Sequence, residues 1–268
     1  MRTVYNFSPG PGALPDSVIR QTQEALHCVP GGHISLLGLN HRTSLFEHIL
    51  EETGDNVRRL LHIPPEYHVL FLQGGSSLQF TMIPMAFLRG RTQPAEYFHT
   101  GYWSNKAIQE AAFEGPVRVV WSGTPAGVRR VPDAPEYHIS PTASYFHYIT
   151  NETVEGLQFD SVPECGQVPL VCDMSSDFLA RSIPLERYGL IYAHAQKNLG
   201  PSGVTVVILH QDLLAKSSQG LPTMLDYRTH CEYRSNYNTP SSICHLCGLV
   251  GHALVAQRDR RDKDYGGN

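Results

Sequence analysis

Lys197 stands on a short polar turn, "QKNLGPSG", between two apolar runs at 190–193 and 204–209. A lysine held partly out of water, or near other positive charge, gives up its proton more readily than the reference value of about 10.4. Its free amine is then a nucleophile toward an aldehyde. Asp173 closes a second apolar run, "VPLVCD" (168–173). A carboxylate at the end of a buried strand is costly without a partner. That partner is either the backbone of the "DMSSD" segment, with Asp173 as a helix cap, or the protonated ring nitrogen of a cofactor. A third group is "FLQGGSSLQF", where a strand ends at Gly74 and Gly75 and Ser76 and Ser77 open a helix. Free N–H groups, the helix dipole and two hydroxyls make an anion site there, although the same turn also serves as a plain strand-to-helix connection. No Walker lysine follows, which disfavours nucleotide hydrolysis. Trp103, in "TGYWSNKAI", is either a core side chain or an aromatic face for a ring. Pyridoxal phosphate requires a lysine, a carboxylate for its ring nitrogen and an anion cup for its phosphate, and all three are present.

These residues must be brought together by the elements that carry them. Strand-length apolar runs recur at 68–73, 117–121, 145–150, 168–173, 189–195 and 204–209. Several are apolar throughout, as in strands covered on both faces. Helical patterns lie between them. Segment 44–61 carries Leu45, Phe46, Ile49, Leu50, Val57, Leu60 and Leu61 at helical spacing, with Ser44 as a candidate cap and Glu47 as its capping-box partner. The alternation predicts an α/β fold with a mainly parallel sheet sandwiched by helices. Ligands of such sheets bind beyond the carboxyl ends of the strands. Gly74–Ser77, Asn151–Thr153, Asp173 and Gln196–Lys197 are all predicted at that rim.

Composition narrows the remaining classes. The 268 residues are 41% hydrophobic and 17% charged, with a formal net charge of −4. That balance fits a globular domain with room for a buried subunit interface, and argues against nucleic acid or anionic membrane as partners. No run of about 18 apolar residues predicts a membrane span. The first fifteen residues lack the apolar centre of a signal peptide, so the expected location is cytoplasmic. Six irregularly spaced cysteines form no disulfide framework. Cys244, Cys247 and His252, with Cys231 upstream, give half of a zinc knuckle without a second half, and the fourteen histidines are scattered. No metal site is expected.

Eight stretches carry a family resemblance in order along residues 5 to 243: "NFSPGPGALP", "HRTSLFE", "VLFLQGGSSLQFTMIPM", "TGYWSNKA", "YFHYITNETVEGLQF", "VPLVCDMSSDFLARSI", "GLIYAHAQKNLGPSGVTVVIL" and "YNTPSS". The sequence resembles the phosphoserine aminotransferase family, within the fold-type I, class V pyridoxal-phosphate aminotransferases. The resemblance implies that Lys197 is the Schiff-base lysine and proton-transferring base, and that Asp173 pairs with the pyridine nitrogen. It implies that Trp103 stacks on the ring and Thr153 bonds the side carrying the 3-oxygen. Ser76, Ser77 and Gln196 would hold the cofactor phosphate, with Asn238 and Thr239 completing the cup from the other subunit of a homodimer. His41 and Arg42 would bind the substrate's distal carboxylate or phosphate, although Arg42 alone reads as a surface residue flanking a helix. The implied reaction moves an amino group from glutamate to 3-phosphohydroxypyruvate, giving 2-oxoglutarate and phosphoserine. A related phosphorylated oxo acid of vitamin B6 synthesis is a further implied substrate.

Three segments are expected: an N-terminal arm (1–16), a large cofactor-binding domain (17–250) and a charged, frayed tail (251–268). The family's C-terminal small domain finds no counterpart, and neither do the arginine and histidine it supplies. The sequence therefore leaves two readings: an aminotransferase, possessing its cofactor cup but with incomplete substrate positioning, or a non-catalytic homologue that binds the cofactor or a full-length subunit without turnover.

Overall fold

A computed structural model describes residue 5, residues 7–123 and residues 130–240 of the chain. Its nine strands, in chain order, are β1 (Tyr67–Leu72), β2 (Ala95–His99), β3 (Val117–Ser122), β4 (Phe146–Ile149), β5 (Asn151–Glu152), β6 (Leu157–Gln158), β7 (Leu170–Asp173), β8 (Leu190–His194) and β9 (Thr205–His210). The helices are α1 (Asp16–His27), α2 (Ser44–Leu61), α3 (Gly75–Phe87), α4 (Tyr102–Ala111), α5 (Gln211–Leu214) and α6 (Tyr227–Glu232). Seven strands form one sheet in the order β1-β9-β8-β7-β4-β2-β3, and β5 and β6 form a small hairpin. The pairs β2/β3, β2/β4, β4/β7 and β7/β8 are parallel. Only β9 runs the other way, antiparallel to both β1 and β8. The mainly parallel sheet expected from the apolar runs is therefore present, with one strand reversed.

Both faces of the central strands β4, β7, β8 and β9 are buried, which is why they read as continuous apolar runs rather than alternating ones, whereas edge strand β3 is half-exposed. On one face Phe98, Phe146, Cys172, Ile191 and Ile208 pack with Ala25 of α1 and Phe46 and Val57 of α2. On the other, Tyr97, Val171, Leu190, Tyr192 and Val207 pack with Phe80, Met82 and Ile83 of α3 and Ala107 of α4. Residues one apart on a strand thus serve opposite layers.

Three local expectations need correction. Helix α2 begins at Ser44, but its cap is Thr43, whose extended backbone lets its hydroxyl accept from the Phe46 N–H. The "DMSSD" segment forms turns rather than a helix, so Asp173 closes a local turn by accepting from the Ser175 N–H at 2.8 Å instead of capping a helix. Strand β2, "AEYFH", is absent from the apolar runs of the sequence. Its Glu96 is fully buried, and it is satisfied there by the guanidinium of Arg118 (Nε at 2.9 Å) and the N–H of Ser140 (3.1 Å). The boundary expected at 250, the tail, and Cys244, Cys247 and His252 lie outside the described residues. Cys231 lies on α6, where burial pushes its thiol up to about 12. No described helix is long and apolar enough to cross a membrane.

Candidate active site

The carboxyl ends of the parallel strands enclose a cavity of about 140 Å³. Six residues predicted from sequence line it: Ser76, Ser77, Trp103, Asp173, Gln196 and Lys197. A larger hollow of about 560 Å³ lies between α2, β1 and the end of α6, with Glu51, Arg58 and Arg234 in its wall. It contains none of those residues, so volume does not locate the chemistry in this molecule.

Asp173 ends β7 at only 4% exposure. Burial pushes its carboxyl up to about 6, against the opposing effect of its Ser175 hydrogen bonds and the Lys197 amine. Lys197 shifts the opposite way. Burial lowers its amine, although the carboxylates of Asp173, Asp177 and Glu152 resist that change. The lysine turn is tied at its base, where Ala195 N–H donates to Val204 O (2.8 Å) and Gly200 N–H to Ala195 O (2.8 Å). Asn198 Nδ2 anchors its side by donating to Phe178 O (2.7 Å). The arm that leads into α1 crosses the same turn, with Gly12 N–H donating to Gln196 O at 2.8 Å.

Helix α3 supplies the serine wall. Its cap, Gly74, has φ +91°, and a Cβ there would collide with the Leu78 side chain, so the turn requires glycine. Ser76 is buried and its hydroxyl meets that of Ser175 at 2.6 Å. Helix α4 supplies Trp103 and is fixed by Glu152. That carboxylate, 1% exposed, accepts from the N–H groups of Trp103 (3.1 Å) and Ser104 (2.8 Å) and from the Thr100 hydroxyl (3.4 Å). A buried anion at a helix start is matched by the dipole and by free N–H groups. The neighbouring Thr153 hydroxyl accepts from Trp103 Nε1 (3.3 Å) and from Lys197 Nζ (3.4 Å), so one side chain ties the indole to the amine.

The other four predicted residues do not line the cavity. Arg42 donates to the carbonyls of Asn236 (3.3 Å) and Tyr237 (3.1 Å), and Asn236 Nδ2 donates to His41 O (2.9 Å). Gln73 Nε2 donates to Thr239 O (3.1 Å), and Asn238 Nδ2 lies 3.4 Å from the same carbonyl. His41, Arg42, Asn238 and Thr239 thus belong to one surface assembly. Sequence reasoning gives no role to Glu152, Ser175, Ser176 or His194, although Ser175, Ser176 and His194 line the cavity. The two serines stand inside "DMSSD". The place of His194 follows from strand alternation after Tyr192.

The donor set fits pyridoxal phosphate. A buried carboxyl with no cation in direct contact among the described residues suits a ring N–H, the amine suits an aldehyde, and the start of α3 with its hydroxyls suits a phosphate. The comparisons agree. The aminotransferase class-V family model matches residues 4–244. The phosphoserine aminotransferase of Laribacter hongkongensis is 47% identical over 249 residues, covering 92% of this chain and 69% of that protein. The phosphoserine aminotransferase of Rhodopirellula baltica is 43% identical over 253 residues, covering 94% and 67%. Among solved structures, the phosphoserine aminotransferase from Bacillus circulans subsp. alkalophilus superposes with TM-score 0.91 at 42% identity, covering 96% of this chain and 71% of that one. The enzyme from Trichomonas vaginalis, solved with pyridoxal phosphate bound, gives 0.86 at 32% identity, covering 96% and 72%. With its fold, its lysine and its carboxylate on this rim, the chain belongs to the class-V aminotransferases, and among them to the phosphoserine aminotransferase family.

Proposed function

We propose that this cavity carries pyridoxal-phosphate-dependent amino transfer between glutamate and 3-phosphohydroxypyruvate, giving 2-oxoglutarate and phosphoserine. The observation that carries the reading is Asp173 and Lys197 in one cavity, their proton affinities moved in opposite directions by the same burial. Pyridoxal phosphate, when bound, supplies an electrophilic carbon and an electron-withdrawing ring. The chain supplies the rest. Lys197 would hold the cofactor through Nζ and would serve as the base for the proton on the substrate Cα. Asp173 holds a proton on the ring nitrogen, and Thr153 orients the ring from the side of its 3-oxygen. Trp103 covers one ring face. Ser76, Ser77 and Gln196 receive the phosphate at the start of α3. A set this complete favours turnover over a non-catalytic role.

The reading includes a homodimer, in which Asn238 and Thr239 reach the phosphate of the partner copy. Arg42 would present its remaining guanidinium N–H groups, and His41 its imidazole, to a distal carboxylate or phosphate, where the planar fork of the arginine suits an oxyanion. The same groups suit the related phosphorylated oxo acid of vitamin B6 synthesis. Free thiols at Cys28, Cys165, Cys172 and Cys231 fit a reducing, cytoplasmic compartment. The test is spectroscopic. Pyridoxal phosphate added to the protein should give a visible absorbance band that glutamate discharges and 3-phosphohydroxypyruvate restores. Lys197→Ala should abolish the band and the activity. A band of the same position and intensity in Lys197→Ala would overturn the assignment of the lysine.

A further inference from the structure

We propose that His194 is a phosphate-holding residue of the cofactor cavity, an added donor to the cup formed by Ser76, Ser77 and Gln196. The inference rests on the cofactor reading above. It starts from strand geometry. Tyr192 pairs with Asp173 across β7 and β8, and His194, two residues on, shares its face. That face is the one covered by α3, and it brings the imidazole to the rim just past the buried carboxylate. There the ring lines the same cavity as Ser76, Ser77, Ser175 and Gln196.

The position is built rather than incidental. The His194 N–H donates to Ser175 Oγ (3.4 Å), and Ser175 Oγ meets Ser76 Oγ (2.6 Å) in the first turn of the 13-residue helix α3. The backbone of β8 is thereby linked to the start of the helix whose N–H groups face an anion. The ring is left incomplete, because its buried Nδ1 has no hydrogen-bond partner. Native interiors usually pair such an atom with protein, water or ligand. Burial and the nearby Lys197 amine also hold the ring neutral, at about 4, so it can present one N–H without adding a permanent charge beside that lysine. As the ring stands Nδ1 is closed to solvent, and a turn about Cβ–Cγ that brings it into the cavity would give it a phosphate oxygen as acceptor. A hydrogen bond to such a charged group is also stronger than one to a neutral group.

The test separates phosphate from ring. Apo wild-type protein, His194→Ala and His194→Asn are titrated with pyridoxal phosphate and with pyridoxal, which lacks the phosphate, by absorbance. Inorganic phosphate is titrated by thermal shift. His194→Ala should weaken pyridoxal phosphate and inorganic phosphate by about tenfold to a hundredfold, the range for one hydrogen bond to a charged group, and leave pyridoxal unchanged. His194→Asn, whose amide can reach the place of Nδ1, should recover part of the loss. The ratio of the two cofactor affinities is taken within each variant, so a general loosening of the fold cancels. An unchanged ratio, or inorganic phosphate bound equally by all three proteins, overturns the proposal. Wild-type protein that binds neither pyridoxal phosphate nor inorganic phosphate overturns the cofactor reading together with it.

Discussion

Water stabilises the charged form of both Asp173 and Lys197, so removing it moves their proton affinities toward each other. For Asp173 this has a consequence in the cofactor-free protein. Its folded value of about 6 lies above the ordinary 3.8, so the folded state keeps the proton over a wider range than the unfolded chain. Folding stability therefore falls as pH rises from roughly 4 to 6, and above that the buried charge is a standing cost. Asp173→Asn removes the charge and should stabilise the cofactor-free protein at pH 7.5 by up to about 3 kcal/mol, since each tenfold change in proton affinity is worth roughly 1.36 kcal/mol. The gain should vanish near pH 4, and transamination should be lost. Thermal melts at the two pH values check the sign, and equal gains at both would reject it. Asp173 and Lys197 are legible in the sequence because each ends or follows an apolar run, where a charge stands out. Glu152 and His194 are not. A glutamate in "NET" and a histidine in "AHAQ" look like surface residues until the strands bury the first against α4 and half-bury the second at the cavity. The arginine of "NHRTS" misleads in the other sense, because nothing local shows that its donors go to backbone carbonyls nearly 200 positions away.

At the level of elements, the site depends on how two helices start. Helix α3 starts at Gly74, where a side chain meets Leu78 in a left-handed conformation that only glycine adopts freely. Gly74→Ala should cost about 2 kcal/mol or more and weaken cofactor binding as the serine wall shifts, measurable by denaturant unfolding and cofactor titration. Helix α4 starts on Glu152. Glu152→Ala leaves the N–H groups of Trp103 and Ser104 without their buried acceptor and should cost about 3 kcal/mol. The chain has two tryptophans, so a change in the emission of Trp103, read in a Trp121→Phe background, reports on the helix start itself. Unchanged emission and stability would mean that Glu152 holds nothing in place. The elements are otherwise readable from apolar runs and turn residues, with β2 as the instructive exception. Its Glu96 interrupts the run, and the Arg118 partner on the neighbouring strand, with the Ser140 N–H, makes that carboxylate compatible with a sheet interior.

The molecule as a whole divides its predicted groups between two places, a cavity at the sheet rim and the surface assembly of His41, Arg42, Asn238 and Thr239. In the proposed two-fold dimer each site would draw on both copies. Mixing Lys197→Ala with Asn238→Ala should restore activity, because each mixed dimer contains one site with both residues intact. Random pairing gives about a quarter of wild-type activity. A mixture no more active than its parents would sink the shared-site arrangement. The reversed strand β9 bears on something else, the order in which the chain can be assembled. Among the described residues β1 joins the sheet only through β9, more than 130 residues later in the chain. On the ribosome, β1 and the serine turn that follows it emerge early and wait with an unpaired edge until 205–210 has been made. Closing so long a loop comes late and slowly. The anion cup and the lysine are thus united by the same final insertion, and any condition that delays it leaves an exposed strand edge ready to pair with another chain.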